Sequence, residues 1–280
     1  MIKLLAIIKI LRPMNLVFSA LSLIITAFLI DKLHDAKTIL FSGVVIISFA
    51  GAGNILNDIF DYSIDKINRP YRPLPSKEIA GRLALIVMIS LFLIGIIFSF
   101  LLEPLALIIA LGMVLPLLII YTPILKKIPI VGNMAIASIL GLVFIFSEAS
   151  LTGETTKMWI PAFLAFGLSW VRELAKDMQD IVGDKQNNVR TFPVRYGISL
   201  SVTFYGFLAG LLSILAMLPI MHHIYGYPYF ILLIVGVIVP LMLSVYYLKN
   251  HQTPNECGKV ASLLKIITVV GLIVILSTGF

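Results

Sequence analysis

Charge, cysteine and histidine are scarce in this chain. Only 12% of its 280 residues are Asp, Glu, Lys or Arg, about half the share of a soluble globular domain. That scarcity excludes a soluble enzyme, a disordered segment and an ordinary nucleic-acid-binding domain, so nucleic acid is not an expected partner. The single cysteine, Cys257, excludes an intrachain disulfide framework. The four histidines, His34, His222, His223 and His251, fall between apolar stretches and are read as solvated. No polar run is long enough to form a separate soluble domain.

Hydrophobic residues fill the space, at 60% of the chain with a mean hydropathy of +1.05. A membrane-crossing helix needs about 20 mostly apolar residues. Nine stretches qualify: 11–30, 38–57, 83–102, 104–122, 132–149, 158–174, 198–219, 227–248 and 261–279. The expected fold is all-α, a polytopic bundle of about nine transmembrane helices forming one domain over 1–280, with membrane lipids around it. The first stretch is long, lacks an A-x-A site and feeds straight into a second span, so it reads as a retained span rather than a cleaved signal. With the N-terminus inside, 18 Lys and Arg residues fall on inner segments and only Lys32, Lys37 and Lys157 on outer ones. Cytoplasmic loops collect basic residues, so the expected location is the cell membrane, multi-pass, with a cytoplasmic N-terminus. The same asymmetry absorbs most of the net charge of +7.

The acids do not follow from topology. Seven of the 14 acidic residues lie in two short segments, N-D-I-F-D-Y-S-I-D from Asn57 to Asp65 and R-E-L-A-K-D-M-Q-D-I-V-G-D from Arg172 to Asp184. Asn54, Asp58, Asp61 and Asp65 are spaced +4, +7 and +11, and Glu173, Asp177, Asp180 and Asp184 repeat that spacing. At about 100° per residue, each set falls within an arc of about 60° on one helical face. Both sets end even-numbered helices, where the helix dipole already places negative charge, so a cation is needed to compensate them. Oxygen ligands without His or Cys select Mg²⁺ or a similar hard ion, which commonly takes one or two carboxylates plus substrate phosphates.

Basic residues sit beside the acids. Lys66, Arg69, Arg72 and Lys77 surround the run N-R-P-Y-R-P-L-P-S, whose prolines stiffen the loop. Lys176, Lys185 and Arg190 accompany the second set, and Tyr121 and Lys126 lie in Y-T-P-I-L-K-K. Metal-binding acids interleaved with Arg and Lys match a polyphosphate. Nine apolar helices behind such a mouth point to an isoprenyl diphosphate, with Phe60, Tyr62 and Phe146 as candidate chain-lining aromatics. A secondary transporter is the alternative from another class, since the two acid sets are offset by 119 residues and transporters often carry internal repeats near a midplane site.

These residues resemble the UbiA superfamily of intramembrane prenyltransferases. Asn57, Asp58, Asp61 and Asp65 match its N-D-x-x-D-x-x-x-D motif, and Asp180 and Asp184 its D-x-x-x-D motif. Tyr121 and Lys126 match the Tyr-Lys element between them, and L-R-P-M-N at 11–15 the first-helix start. The resemblance implies Asn57, Asp61 and Asp65 on one Mg²⁺ and Asp180 and Asp184 on a second, at the cytoplasmic side. Asp58 and Asp177 would be supporting ligands or bases. Lys126, Arg72 and Tyr121 would contact the diphosphate, with Asn54 and Lys176 also substrate-facing. K-D-M-Q-D-I-V-G-D is similar to the archaeal ether-lipid branch, which transfers geranylgeranyl from its diphosphate to geranylgeranylglyceryl phosphate. That acceptor is lipid-like and phosphorylated, and Arg69, Lys77 and Arg190 are the candidates for its phosphate. An aromatic or porphyrin-like acceptor stays open, because chlorophyll synthases share a similar P-Y-R-P-x-P-S loop.

Overall fold

The computed structural model describes residues 2–279, and the described residues are all helix and loop, with no strand. The side chain of Lys3, counted above among the inner charges, lies outside the described ones. The helices are α1 (Ile2–Leu11), α2 (Pro13–Leu29), α3 (Ala36–Phe60), α4 (Tyr62–Asn68) and α5 (Gly81–Ser99). They continue with α6 (Pro104–Tyr121), α7 (Val131–Thr152), α8 (Trp159–Gln186) and α9 (Phe192–Met221), then α10 (Tyr227–Asn250) and α11 (Pro254–Leu276). Seven of them are long and apolar enough to cross a membrane, and the bent pair α1–α2 makes an eighth. The remaining predicted stretch, 158–174, is the first half of α8, whose charged second half keeps the whole helix from reading as a span.

Three elements depart from their predicted bounds, each for a local reason. The chain does not run straight through 11–30. Pro13 disfavours helical geometry at the residue before it, Arg12 turns left-handed (φ 55°), and α1 meets α2 at 55°. The Asn54 amide donates to the freed Leu11 carbonyl at 3.0 Å. In α9, the helix begins at Phe192 rather than near 198 and is broken at Gly197 (φ 83°). In the last span the helix starts at Pro254 rather than near 261. Thr253 caps it, its hydroxyl accepting from Glu256 N, with proline at the first position. Cys257 is therefore fully buried in the first turn of α11, and Lys265 stands midway along the helix.

The helices pack as a ring. α2 lies on α3 and α7, α3 on α5, α7 on α8, α8 on α9 and α11, and α11 returns to α2. Close approach depends on small residues, as in other membrane bundles. A Cβ at Gly141 in α7 would sit 2.7 Å from the Ala162 carbonyl oxygen of α8. One apolar core joins α8 to α11, and a second joins α2, α3, α6 and α7. Outward residues of α5, such as Ile86, Leu93 and Ile97, are exposed and apolar, the face that lipid covers.

Glu148, buried in α7, belongs to this architecture. Its carboxylate accepts from Thr156 N and Oγ1, Lys157 N and Met158 N at 2.7–3.2 Å, which fastens the α7–α8 connection. Glu148→Gln turns charge-assisted bonds into neutral ones, a loss of about 1–2 kcal/mol. Thermal unfolding in detergent should register that loss while the specific activity of the folded fraction stays at wild type.

Candidate active site

The first acid row rides on α3 and α4, which are nearly one helix. Asp61 interrupts them, yet the i→i−4 bonds continue from Asp61 N to Asn57 O (2.8 Å) and from Asp65 N to Asp61 O (2.7 Å). The second row rides on the polar end of α8. The structure brings the two rows together. Arg69 Nη1 donates to Asp180 Oδ2 at 2.9 Å. Asn68 donates to the Asp180 carbonyl at 3.1 Å and accepts from Gly183 N at 3.2 Å. A Cβ at Gly183 would fall 2.5 Å from Asn68 Nδ2, so only glycine lets the two motifs touch this closely.

Every acid of the first row is held by a named partner. Arg72 Nη1 reaches Asp65 at 2.6 Å and Asp58 at 3.2 Å, and Arg12 also binds Asp58. Lys126, carried by the loop between α6 and α7, binds both oxygens of Asp61 at 2.5 and 2.6 Å. The Thr122 hydroxyl donates to Asn57 Oδ1. On α8, Asp177 accepts from Asn133 Nδ2 at 2.8 Å, and Asp184 from the Thr191 hydroxyl at 3.4 Å. Asp58, Asp65 and Asp184 are each 2% exposed or less.

The electrostatics show how crowded the carboxylates are. Burial, reinforced by Asp180 and Asp61 and only partly offset by Lys126, pushes the Asp184 carboxyl up to about 7. Burial likewise raises Asp65, against the pull of Arg72. Lys126 stays above its ordinary value: burial opposes its charge, and Asp61 more than compensates. Among the described residues, no three His, Cys, Asp or Glu side chains form a ready-made metal cage. The donors are carboxylate and amide oxygens facing one another across a narrow cleft. They fit a hard cation that arrives with phosphate oxygens of its own, and Asn57, Asp61, Asp65, Asp180 and Asp184 are the side chains that would hold it.

Beside the acids opens a cavity of about 460 Å³. Arg12, Asn54, Asn57, Arg69, Arg72 and Tyr121 line its polar end, while α2, α6, α7, α8, α9, α10 and α11 supply apolar walls. A small recess lined by Tyr121, Lys126, Asn133, Asp177 and Thr191 adjoins it at Tyr121. Polar groups at the acid end of a greasy chamber suit a substrate with an anionic head and a hydrocarbon tail.

Residues 16–267 match the UbiA prenyltransferase family. The chain belongs to this family. It is a prenyltransferase and a multi-pass membrane protein, and the transporter alternative is set aside. A digeranylgeranylglyceryl phosphate synthase of Methanosphaera stadtmanae is 33% identical over 260 residues, covering 92% of this chain and 93% of its own. A solved structure bearing on digeranylgeranylglyceryl phosphate synthase in membranes superposes with a TM-score of 0.75 at 31% identity, covering 100% of this chain and 99% of that one. A UbiA homolog from Archaeoglobus fulgidus bound to DMAPP and Mg²⁺ has a TM-score of 0.70 at 15% identity, over 96% and 98% of the two chains. At that identity it shows the UbiA fold.

Two of the residues expected at the acceptor are not at the UbiA cavity. Lys77 (φ 62°) turns outward from the proline-rich loop and Arg190 follows the end of α8, and both are exposed. Sequence adjacency to the motifs does not bring them to the chamber. Arg69 does line it, but Asp180 holds its guanidinium. Lys176 lines it too and is tied to Glu173 at 2.6 Å. Of the candidate aromatics, Phe60 faces outward at 53% exposure, Phe146 is buried in the core and Tyr62 lies under Lys66. Phe18 and Phe144 line the chamber instead. Arg12, Asn68, Thr122 and Asn133 were not foreseen as partners of the acids. Arg12 stands inside the L-R-P-M-N motif, Asn68 opens the N-R-P-Y-R-P-L-P-S run and Thr122 lies in Y-T-P-I-L-K-K, whereas Asn133 is a lone polar residue without a spacing signal.

Proposed function

We propose that the protein transfers a geranylgeranyl group from geranylgeranyl diphosphate to the free hydroxyl of geranylgeranylglyceryl phosphate, with Mg²⁺, on the cytoplasmic side of the membrane. One observation carries the reading. Two acid rows, with Arg69, Arg72 and Lys126 between them, stand at the polar mouth of one apolar chamber. The 33% identical relative of nearly equal length bears the name of that synthase, and basic loops gather at the same end as the acids.

The allylic carbon–oxygen bond breaks heterolytically, and its electron pair leaves with the diphosphate. The acceptor oxygen then bonds to the allylic carbon and its proton passes to a base, giving an ether and pyrophosphate. When bound, Mg²⁺ neutralises charge developing on the leaving group. Arg72, Arg69 and Lys126, each now on a carboxylate, are placed to turn to the phosphate oxygens once those carboxylates take the metal, and Tyr121 stands beside them. Aimed at the leaving group, they stabilise the charge that develops on it. Asp58 is held between Arg12 and Arg72 and is poorly placed to accept a further proton. Asp177, held among the described residues only by Asn133, is the better base.

Pyrophosphate release from geranylgeranyl diphosphate in detergent, assayed with a panel of acceptors, tests this reading. A chelator should abolish release and added Mg²⁺ should restore it. Turnover that is indifferent to chelation would remove the metal, and preference for a hydroxybenzoate or a porphyrin-like alcohol would move the acceptor to another branch.

A further inference from the structure

α8 carries a second row that the acid chemistry leaves unused. Arg172 and Lys176 precede Glu173 and Asp177 by one residue each, so they lie about 100° around the helix from the acids. They line the main chamber together with Lys265 of α11 and Arg12. Arg172 and Lys265 differ from the cations at the metal end, among which Arg12 holds Asp58. The Arg172 Nε is buried without a hydrogen-bond partner, and its Nη1 comes only within 4.0 Å of Glu173. Lys265 has no hydrogen bond or ion pair among the described residues, and only the face of Phe18, 5.8 Å away, lies near its ammonium. It stands midway along α11, where a lysine is costly in a membrane protein unless it serves a ligand. Arg172 and Arg12 also repel it.

We infer that Arg172, Lys176 and Lys265 form an anion subsite for the phosphate monoester of the acceptor lipid, separate from the diphosphate–metal end. Three cations face one carboxylate, Glu173, which leaves a surplus of two positive charges. A phosphate monoester near neutral pH carries about −1.5 to −2. The donor diphosphate has its own cations, each on a carboxylate that a metal would occupy, whereas Arg172 and Lys265 have no carboxylate within hydrogen-bond distance among the described residues. Phe18 and the apolar walls begin at the same place, so a glycerol phosphate held here leaves its alkyl chain in the chamber. This inference rests on the acceptor reading above and replaces Lys77 and Arg190 as the phosphate-binding residues.

The test uses the full chain in detergent with Mg²⁺ and geranylgeranyl diphosphate. It compares geranylgeranylglyceryl phosphate with its dephosphorylated alcohol for the wild type, Lys265→Gln, Arg172→Gln and Lys265→Arg. The two glutamine variants should raise KM for the phosphorylated acceptor about ten- to hundredfold and leave the donor KM and the alcohol KM unchanged. Lys265→Arg should recover most of the loss. Calorimetric titration of the Mg²⁺-free protein with glycerol 1-phosphate gives a readout independent of turnover, and its heat should vanish in the glutamine variants. If the wild type binds glycerol 1-phosphate through these residues but transfers to no glyceryl phosphate lipid, the subsite stands and the acceptor reading falls. An unchanged acceptor KM in both glutamine variants, or donor and acceptor KM rising together, overturns the subsite.

Discussion

Asp61→Asn and Asp184→Asn should each lower kcat/KM by about 10²–10³-fold, the range seen when one preorganised electrostatic group is removed from a reacting site, while the protein stays folded. Asp61 carries the largest share of the argument. It lies on the first row, it takes both of its hydrogen bonds from Lys126, and it adds to the burial that drives Asp184 up to about 7. The amide keeps the shape and one acceptor oxygen, so α3 and α4 keep their backbone bonds. It removes the negative charge that a hard cation needs. Asparagine is the better probe than alanine here, because alanine would leave Lys126 buried without a partner, and that alone is strongly destabilising. Asp184 is 2% exposed and bonded only to Thr191 among the described residues, so its amide is tolerated sterically. The measurement is steady-state transfer at saturating Mg²⁺ beside a thermal unfolding scan. Near-wild-type turnover in either variant would sink the metal assignment, and a collapsed melting temperature would show that the carboxylate serves the fold instead.

The parts of this site that were legible in the sequence share a property: each depends on spacing along one helix. The +4, +7, +11 rows required only helical periodicity, and Asp58, Asp61 and Asp65 do stand together at one end of α3 and α4. Partners across helices were not legible. Thr122 on Asn57, Asn133 on Asp177 and Asn68 on Gly183 are single polar residues whose meaning comes from which helices touch. Arg172 and Lys265 were hidden differently. Both were counted as topology-setting charge, and the polar run before 261 masks the Thr253–Glu256 start of the last helix. Lys77 and Arg190 show the opposite error, in which nearness in sequence stood for nearness in space. Most spans were readable because twenty apolar residues are a strong signal, but the turn at Arg12 and the break at Gly197 required backbone conformations that hydropathy does not report.

Gly132→Ala should cut kcat/KM by about 10²-fold, although the residue touches no substrate, since a misplacement of about 1 Å at a reacting site has that effect. Gly132 opens α7 just after Ile130, whose φ of 69° turns the chain back on itself. A Cβ there would lie 2.9 Å from both the Leu125 carbonyl oxygen and the Lys126 Cα. Those are backbone atoms, so no side-chain rotation relieves the contact and the 125–127 turn has to move. Lys126 moves with it, away from Asp61 and from the oxygens that it is proposed to meet. The donor KM should rise and kcat should fall together in the folded fraction, and Tm should fall too, because the Lys126–Asp61 pair is disturbed. Gly210→Ala is the matched control. It lies within α9 with nothing inside 4 Å of the added carbon, and alanine in a helix is favoured over glycine by about 1 kcal/mol. Wild-type turnover in Gly132→Ala would mean that the position of Lys126 does not limit transfer, and equal losses in both variants would place the effect in the bundle rather than in the turn.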